Sequence, residues 1–269
     1  MKDRIKENLH GLAAEGRIGL IPFVTAGYPS LDMTLDIVRA VVEAGADVVE
    51  LGVPFSDPLA EGPTIQRSSH LALEQGVTPG DCIATAARLR SAGVKAPLVL
   101  MGYYNPVLSM GVDEFCRRAG DAGVDGLIVA DLPADESGPL REAAGASGVG
   151  VIPLLALTST EERIRAACRH ARGFVYCVSL LGVTGARREL SERIEGLVSR
   201  VRRHTDLPVA VGFGVSRPEH VRSIARYADA AVVGSALIDA IDAGPRDTAA
   251  ERAGAFTAGL RAATERPAK

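Results

Sequence analysis

The chain has 269 residues, is 47% hydrophobic and 23% charged, and carries a formal net charge of −3 with a pI near 6.0. That balance, with no tryptophan and no Lys/Arg cluster on an aromatic platform, argues against nucleic acid as a partner. No apolar run reaches the roughly 20 residues that a membrane span needs. The length suffices for a large core and suits an α/β barrel of about 250 residues.

The opening MKDRIKENLHGLAAEG is charged throughout and has no apolar signal core, so the expected location is the cytoplasm. Segment 2–15 reads as an extra helix under the body of the fold. Apolar runs then recur at 19–25, 48–52, 97–103, 126–132, 150–156, 173–179, 208–214 and 230–236. They are β-branched or Leu-rich and nearly continuous in apolarity, the pattern of parallel strands covered on both faces. Helical patterns separate them. Ser30 is placed to cap the first and Gly45 to stop it. Ser159 or Thr160 precedes Glu161 and Glu162, acids suited to a helix N-terminus. Eight strands alternating with helices predict an α/β fold, a single (β/α)8 TIM barrel spanning 1–269 as one domain. The cysteines, Cys82, Cys116, Cys168 and Cys177, lack CxxC spacing and read as small apolar residues of a reduced protein. No metal-ligand spacing or Ser-His-Asp arrangement is visible, so no metal is expected.

In such a barrel the loops after the strands carry the chemistry. Glu50 lies near the end of the second strand, between Val49 and Leu51. Facing inward, it would be desolvated and its pKa raised; facing outward, it would need a Lys or Arg on a helix. Asp57, in FSDP, reads as a turn former, and Glu61, in LAEGP, on composition alone reads as a solvated loop acid. Gly185, Gly214 and the pair Gly234–Ser235 stand at late strand ends. A loop glycine serves a turn as readily as a ligand, but two such motifs after consecutive strands, one opening a helix, suit a phosphate.

PFVTAGYPS, VELGVPFSDPLAEGPTIQ, GYYNP, VADLP, GVTGAR, GFGVS and VVGSA occur in this order. Together they closely resemble the tryptophan synthase alpha chain family, over roughly residues 21–241. The resemblance implies a lyase that cleaves indole-3-glycerol phosphate to indole and glyceraldehyde 3-phosphate without metal or organic cofactor. It implies Glu50 as the proton carrier and Glu61 as a second acid near the indole N–H. It also implies an indole pocket of Phe23, Met101, Ile128, Ala130, Leu154, Tyr176 and Phe213. Phosphate contacts would come from Gly185, Gly214, Gly234 and Ser235, with Thr184 meeting the loop acid on closure. The family normally has aspartate where this chain has Glu61. It usually works with a pyridoxal-phosphate-dependent beta chain in an α2β2 tetramer, and residues 53–63 and 103–111 match its partner-facing segments. Stand-alone indole-releasing members are also known. A sugar-phosphate isomerase or epimerase shares the glycine motifs but not the long loop motif, and a weakly active regulatory subunit for a beta chain is a third reading.

Overall fold

The computed structural model describes residues 3–178, 187–212 and 214–266, with 187–191 described by backbone alone. Helix α1 (Arg4–Ala14) precedes β1 (Gly19–Thr25), α2 (Leu31–Glu43), β2 (Val49–Gly52), α3 (Pro63–Glu74), α4 (Pro79–Ser91) and β3 (Leu98–Gly102). Then come α5 (Tyr104–Met110), α6 (Val112–Asp121), β4 (Gly126–Val129), α7 (Gly138–Ala146), β5 (Gly150–Val151), β6 (Leu154–Ala156) and α8 (Glu161–His170). The chain continues through β7 (Val175–Val178), α9 (Arg187–Arg202), β8 (Val209–Gly212), α10 (Pro218–Ile224), β9 (Ala230–Val233), α11 (Ser235–Asp242) and α12 (Ala249–Arg261).

All strand pairs are parallel, in the order β5-β4-β3-β2-β1-β9-β8-β7-β6. The expected fifth strand is present in two pieces because Pro153 has no N–H to give to a ladder. Both of its sides are still bonded: Ile152 N–H donates to Leu127 O on one neighbour, and Pro153 O accepts from Tyr176 N–H on the other. β5 and β6 are therefore one stave, and the ring closes through it. Following the register round the eight staves returns to β1 eight residues further along, the shear of a (β/α)8 barrel. The fold class expected from the sequence is the one observed.

Alternation along the staves splits the core. Val49, Leu51, Leu98, Leu100 and Leu127 point outward into a shell shared with α2, α4 and α6. Ile21, Val48, Val99, Ile128, Tyr176, Ala210 and Val232 point inward, and Ile5, Leu9 and Leu12 of α1 join them from below. Helix α1 is thus the floor of the barrel. Ser30 does cap α2, accepting from Met33 N–H, and Thr160 rather than Ser159 caps α8. Helices α3, α5, α7 and α12 are additional to those the periodicity predicts. The buried residues of α3 are Ser68, Ser69 and Ala72, too small and polar to write an apolar stripe.

The bottom rim repeats one device. Asp47, Asp125 and Asp229 each precede an inward turn of the chain into a stave. Their carboxylates accept from the N–H of Leu20, Leu98 and Val209 at the start of the preceding stave, at 2.9, 2.8 and 2.9 Å. Each Asp N–H donates back to the carbonyl of the same residue. Arginines neutralise the carboxylates from outside: Arg17 on Asp47, Arg4 and Arg90 on Asp125, Arg202 and Arg266 on Asp229. Beside the interrupted fifth stave, the carboxylate comes from α1 instead. Asp3 caps its own helix through Lys6 N–H and accepts from Gly173 N–H at 2.9 Å. Removing one partner of a buried ion pair strands the other charges, which costs about 3 kcal/mol or more. Asp125→Ala is therefore expected to lower the urea-unfolding free energy by on the order of 3 kcal/mol, leaving Arg90, Arg4 and Leu98 N–H unmatched; a loss below about 1 kcal/mol would contradict this role for the rim.

Candidate active site at the barrel mouth

Glu50 shares the inward period of Val48 and stands in register with Phe23 on one side and Val99 on the other. It is 1% exposed, and neither carboxylate oxygen has a hydrogen-bond partner. The alternative of an outward Glu50 paired with a helix cation is thereby excluded. Burial, and then the charge of Glu61, push its pKa well above the usual carboxylate range.

Glu61 is not the freely solvated acid that composition suggests. It is half-buried, close enough to Glu50 to repel its charge, and burial raises its pKa to about 7. The loop that carries it is tied down. Ala60 N–H donates to the Tyr103 hydroxyl at 2.9 Å, Glu61 N–H to Pro58 O at 3.0 Å, and Gln66 Nε2 to Glu61 O at 3.0 Å. Tyr103 in turn stacks on Phe55 with ring centroids 5.1 Å apart. Asp57 is exposed and accepts from the Ser56 hydroxyl, in keeping with a turn-forming role.

Around Glu50 the interior is apolar. Phe23, Ile128 and Tyr176 are buried, and Met101 and Leu154 are half-buried against the same inward cluster. Ala130 lies just past β4, anchored by its N–H to Gly102 O. Two glycines make room for the rings. A side chain at Gly52 would overlap the Phe23 ring, and one at Gly212 would overlap the Tyr176 hydroxyl. Burial raises the Tyr176 phenol strongly, with Glu50 and Glu61 adding to it, so the phenol stays neutral among the two acids.

Gly214 and Gly234 stand just beyond the ends of β8 and β9, and Gly234 lies two staves from Glu50, close to Phe23 and Ile65. Gly214 has φ +49°, a conformation that favours glycine. Gly234 caps α11, and its carbonyl takes the N–H groups of Leu237 and Ile238. The N–H groups of Ser235 and Ala236, with the exposed Ser235 hydroxyl, open the helix toward the mouth. Thr184, Gly185 and Phe213 lie outside the described residues.

Two parts of this site were not anticipated from sequence. Tyr103, the residue that holds the Glu61 loop, was signalled only by the aromatic pair in GYYNP. Helix α3, which follows Glu61 directly, was signalled only by Pro63 at its first position.

A closed barrel with two pKa-shifted carboxylates above an aromatic-lined interior, facing a glycine-opened helix N-terminus, defines an acid–base barrel enzyme for an aromatic, anionic substrate. The sequence profile of the tryptophan synthase alpha chain matches residues 9–265. The tryptophan synthase alpha chain of Chloroflexus aggregans is 49% identical over 98% of this chain and 99% of its own length, and that of Burkholderia pseudomallei is 48% identical over 99% and 98%. Among solved structures, Mycobacterium tuberculosis tryptophan synthase superposes with a TM-score of 0.91 at 39% identity, covering 99% of this chain and 100% of the other. The alpha subunit from Legionella pneumophila gives 0.90 at 35%, covering 98% and 99%. The chain belongs to the tryptophan synthase alpha chain family. It is a lyase of indole-3-glycerol phosphate serving tryptophan biosynthesis.

Overpacking of this kind costs about 1–3 kcal/mol, met by strain or by moving the ring. Gly212→Ala is therefore expected to fold but to displace Tyr176 and cut indole release, followed by fluorescence, at least about tenfold. Unchanged release would show that the ring has no part in holding substrate.

Proposed function

We propose that Glu50 carries the protons of the retro-aldol step and that Glu61 stabilises the indole ring as it becomes cationic. The observation that carries this reading is the buried, partnerless Glu50 carboxyl beside a second acid of separately shifted pKa. Burial keeps Glu50 protonated at rest. It gives its proton to indole C3, and the ring nitrogen becomes an iminium whose N–H faces the Glu61 carboxylate. The resulting Glu50 carboxylate removes the proton of the glycerol hydroxyl adjoining the ring. The new C=O forms as the bond to C3 breaks, and that electron pair returns to the ring and quenches the iminium. Indole and glyceraldehyde 3-phosphate leave with Glu50 protonated again, so no proton is left over and no water is consumed.

In this reading Phe23, Met101, Ile128, Ala130, Leu154, Tyr176 and Phe213 enclose the indole. Gly185, Gly214, Gly234 and Ser235 hold the phosphate, and Thr184 meets Glu61 on closure. A beta chain would dock on the loops after the second and third staves, where Leu59 is 92% and Leu108 51% exposed, to give an α2β2 tetramer. A cytoplasmic setting suits the four buried free cysteines; among the described residues no helix is long and apolar enough to cross a membrane.

Glu61→Gln is expected to lower indole release about 100-fold or more, and the wild-type rate to rise with pH as Glu61 ionises through about 7. Wild-type turnover in that variant sinks the assignment. The same assay with and without an added beta chain separates a synthase subunit, strongly activated by its partner, from a stand-alone lyase.

Stability supplies an independent check. Both acids have folded pKa values above the ordinary 4.5, so the folded state binds more protons than the unfolded one above that pH. Their contribution is therefore fully present below about 4.5 and lost as pH rises through the folded values. Glu50→Gln is expected to abolish turnover yet match wild-type stability near pH 5 and exceed it increasingly toward pH 8. A variant less stable than wild type at pH 8 contradicts a partnerless buried Glu50.

A further inference from the structure

Helix α3 begins two residues after Glu61, so the orientation of α3 sets where that carboxylate stands. Gly62 is its N-cap and Pro63 its first residue, so a single residue separates the acid from the helix. One face of α3 is bolted to the elements that frame the mouth. The Ser68 hydroxyl meets the Thr25 hydroxyl at 2.7 Å, both fully buried, at the end of β1. Ile65 lies against Gly234, the cap of α11. Thr64 donates to Asp239 at 3.2 Å. One turn further along, Arg67 pairs with Asp242 in the last turn of α11 and donates to the Tyr28 hydroxyl at 3.1 Å, with its guanidinium carbon 5.9 Å from the Tyr28 ring centroid. Tyr28 closes the triangle by donating to Asp242.

Two features make this cluster more than a surface ion pair. It joins α3, which starts two residues after Glu61, to α11, whose N-terminus holds the phosphate in the reading proposed above. It is also half-open to water, with Arg67 47% and Asp242 26% exposed, so its loss should hardly affect folding. We propose that Arg67 is a positioning residue for the lyase reaction, fixing the Glu61 carboxylate relative to the phosphate end of the substrate by clamping α3 to α11 through Asp242 and Tyr28. The inference rests on the assignment of Glu61 as the second carboxylate. The substrate spans the two helices, indole at one end and phosphate at the other. An unclamped α3 lets the carboxylate drift from the ring while the phosphate site on α11 is untouched. A displacement near 1 Å can cost on the order of 100-fold in rate.

The test compares wild type, Arg67→Met, Arg67→Lys and Asp242→Asn as full-length protein, with and without a beta chain. Arg67→Met should lower kcat for indole release roughly 10- to 100-fold. KM and the affinity for inorganic phosphate should stay within about twofold, because both report mainly the α11 end. The rise in rate near pH 7 should move to lower pH, because a drifting Glu61 is better solvated. Asp242→Asn should show the same signature. The Arg67→Met/Asp242→Asn pair should be no worse than the poorer single variant, since both break one clamp. Arg67→Lys, which keeps the charge but not the two-armed geometry, should recover part of the rate. A normal kcat and pH profile in Arg67→Met overturns the clamp. So does a loss that disappears on cooling and tracks a fall in thermal midpoint, which is the mark of a merely structural residue. Absence of indole release by the wild type overturns the functional reading and the clamp with it; full activity in Glu61→Gln alongside a defective Arg67→Met overturns the route through Glu61.

Discussion

A carboxyl group on the inner wall of a barrel, with no hydrogen-bond partner, is the constraint on which the rest of this structure turns. The neighbouring strand positions Val49 and Leu51 face the outer shell of helices. The period of the strand sends Glu50 the other way. There burial disfavours the charged form and holds the pKa well above the usual carboxylate range. The barrel accepts a standing cost in stability at neutral pH in return for an acid poised above its ordinary range.

That cost is tolerable because the two ends of the barrel do different work. At the bottom, Asp47, Asp125, Asp229 and Asp3 each accept from backbone N–H groups, arginines match the first three, and α1 plugs the opening. Charges there are paired. At the top, Glu50 lies within reach of the charge of Glu61, and glycines replace side chains where the rings of Phe23 and Tyr176 must fit. Stability at the strand N-termini and chemistry at their C-termini is the division expected of this fold. It follows here from where the matching cations are placed.

The eight staves were legible in the sequence because parallel strands buried on both faces leave long apolar runs, and the first strand matches its expected limits, Gly19–Thr25. The Ser30 cap and the Gly45 stop were legible because capping is local chemistry. The break at Pro153 was not, since β1 carries Pro22 in the same kind of apolar run and continues unbroken. Helix α3 leaves no apolar stripe because it buries serines and alanine, and its contacts with α11 join residues 175 positions apart. Glu61 shows the limit most clearly. Its own neighbours, glycine and proline, describe a loop; the anchors of that loop, Tyr103 and Gln66, come from just past the next stave and from a helix that the apolar periodicity does not mark.

What the sequence determined by itself was therefore periodic or local: strand and helix alternation, caps, and the order of motifs that marks the family. Such features depend on neighbours within a turn or a strand, which the sequence displays directly. The tertiary structure decided which face Glu50 takes, how far Glu61 is desolvated, and which helices bracket the mouth. Those are properties of distance and dielectric, and they exist only once residues remote in the chain have been brought together and water has been displaced from between them.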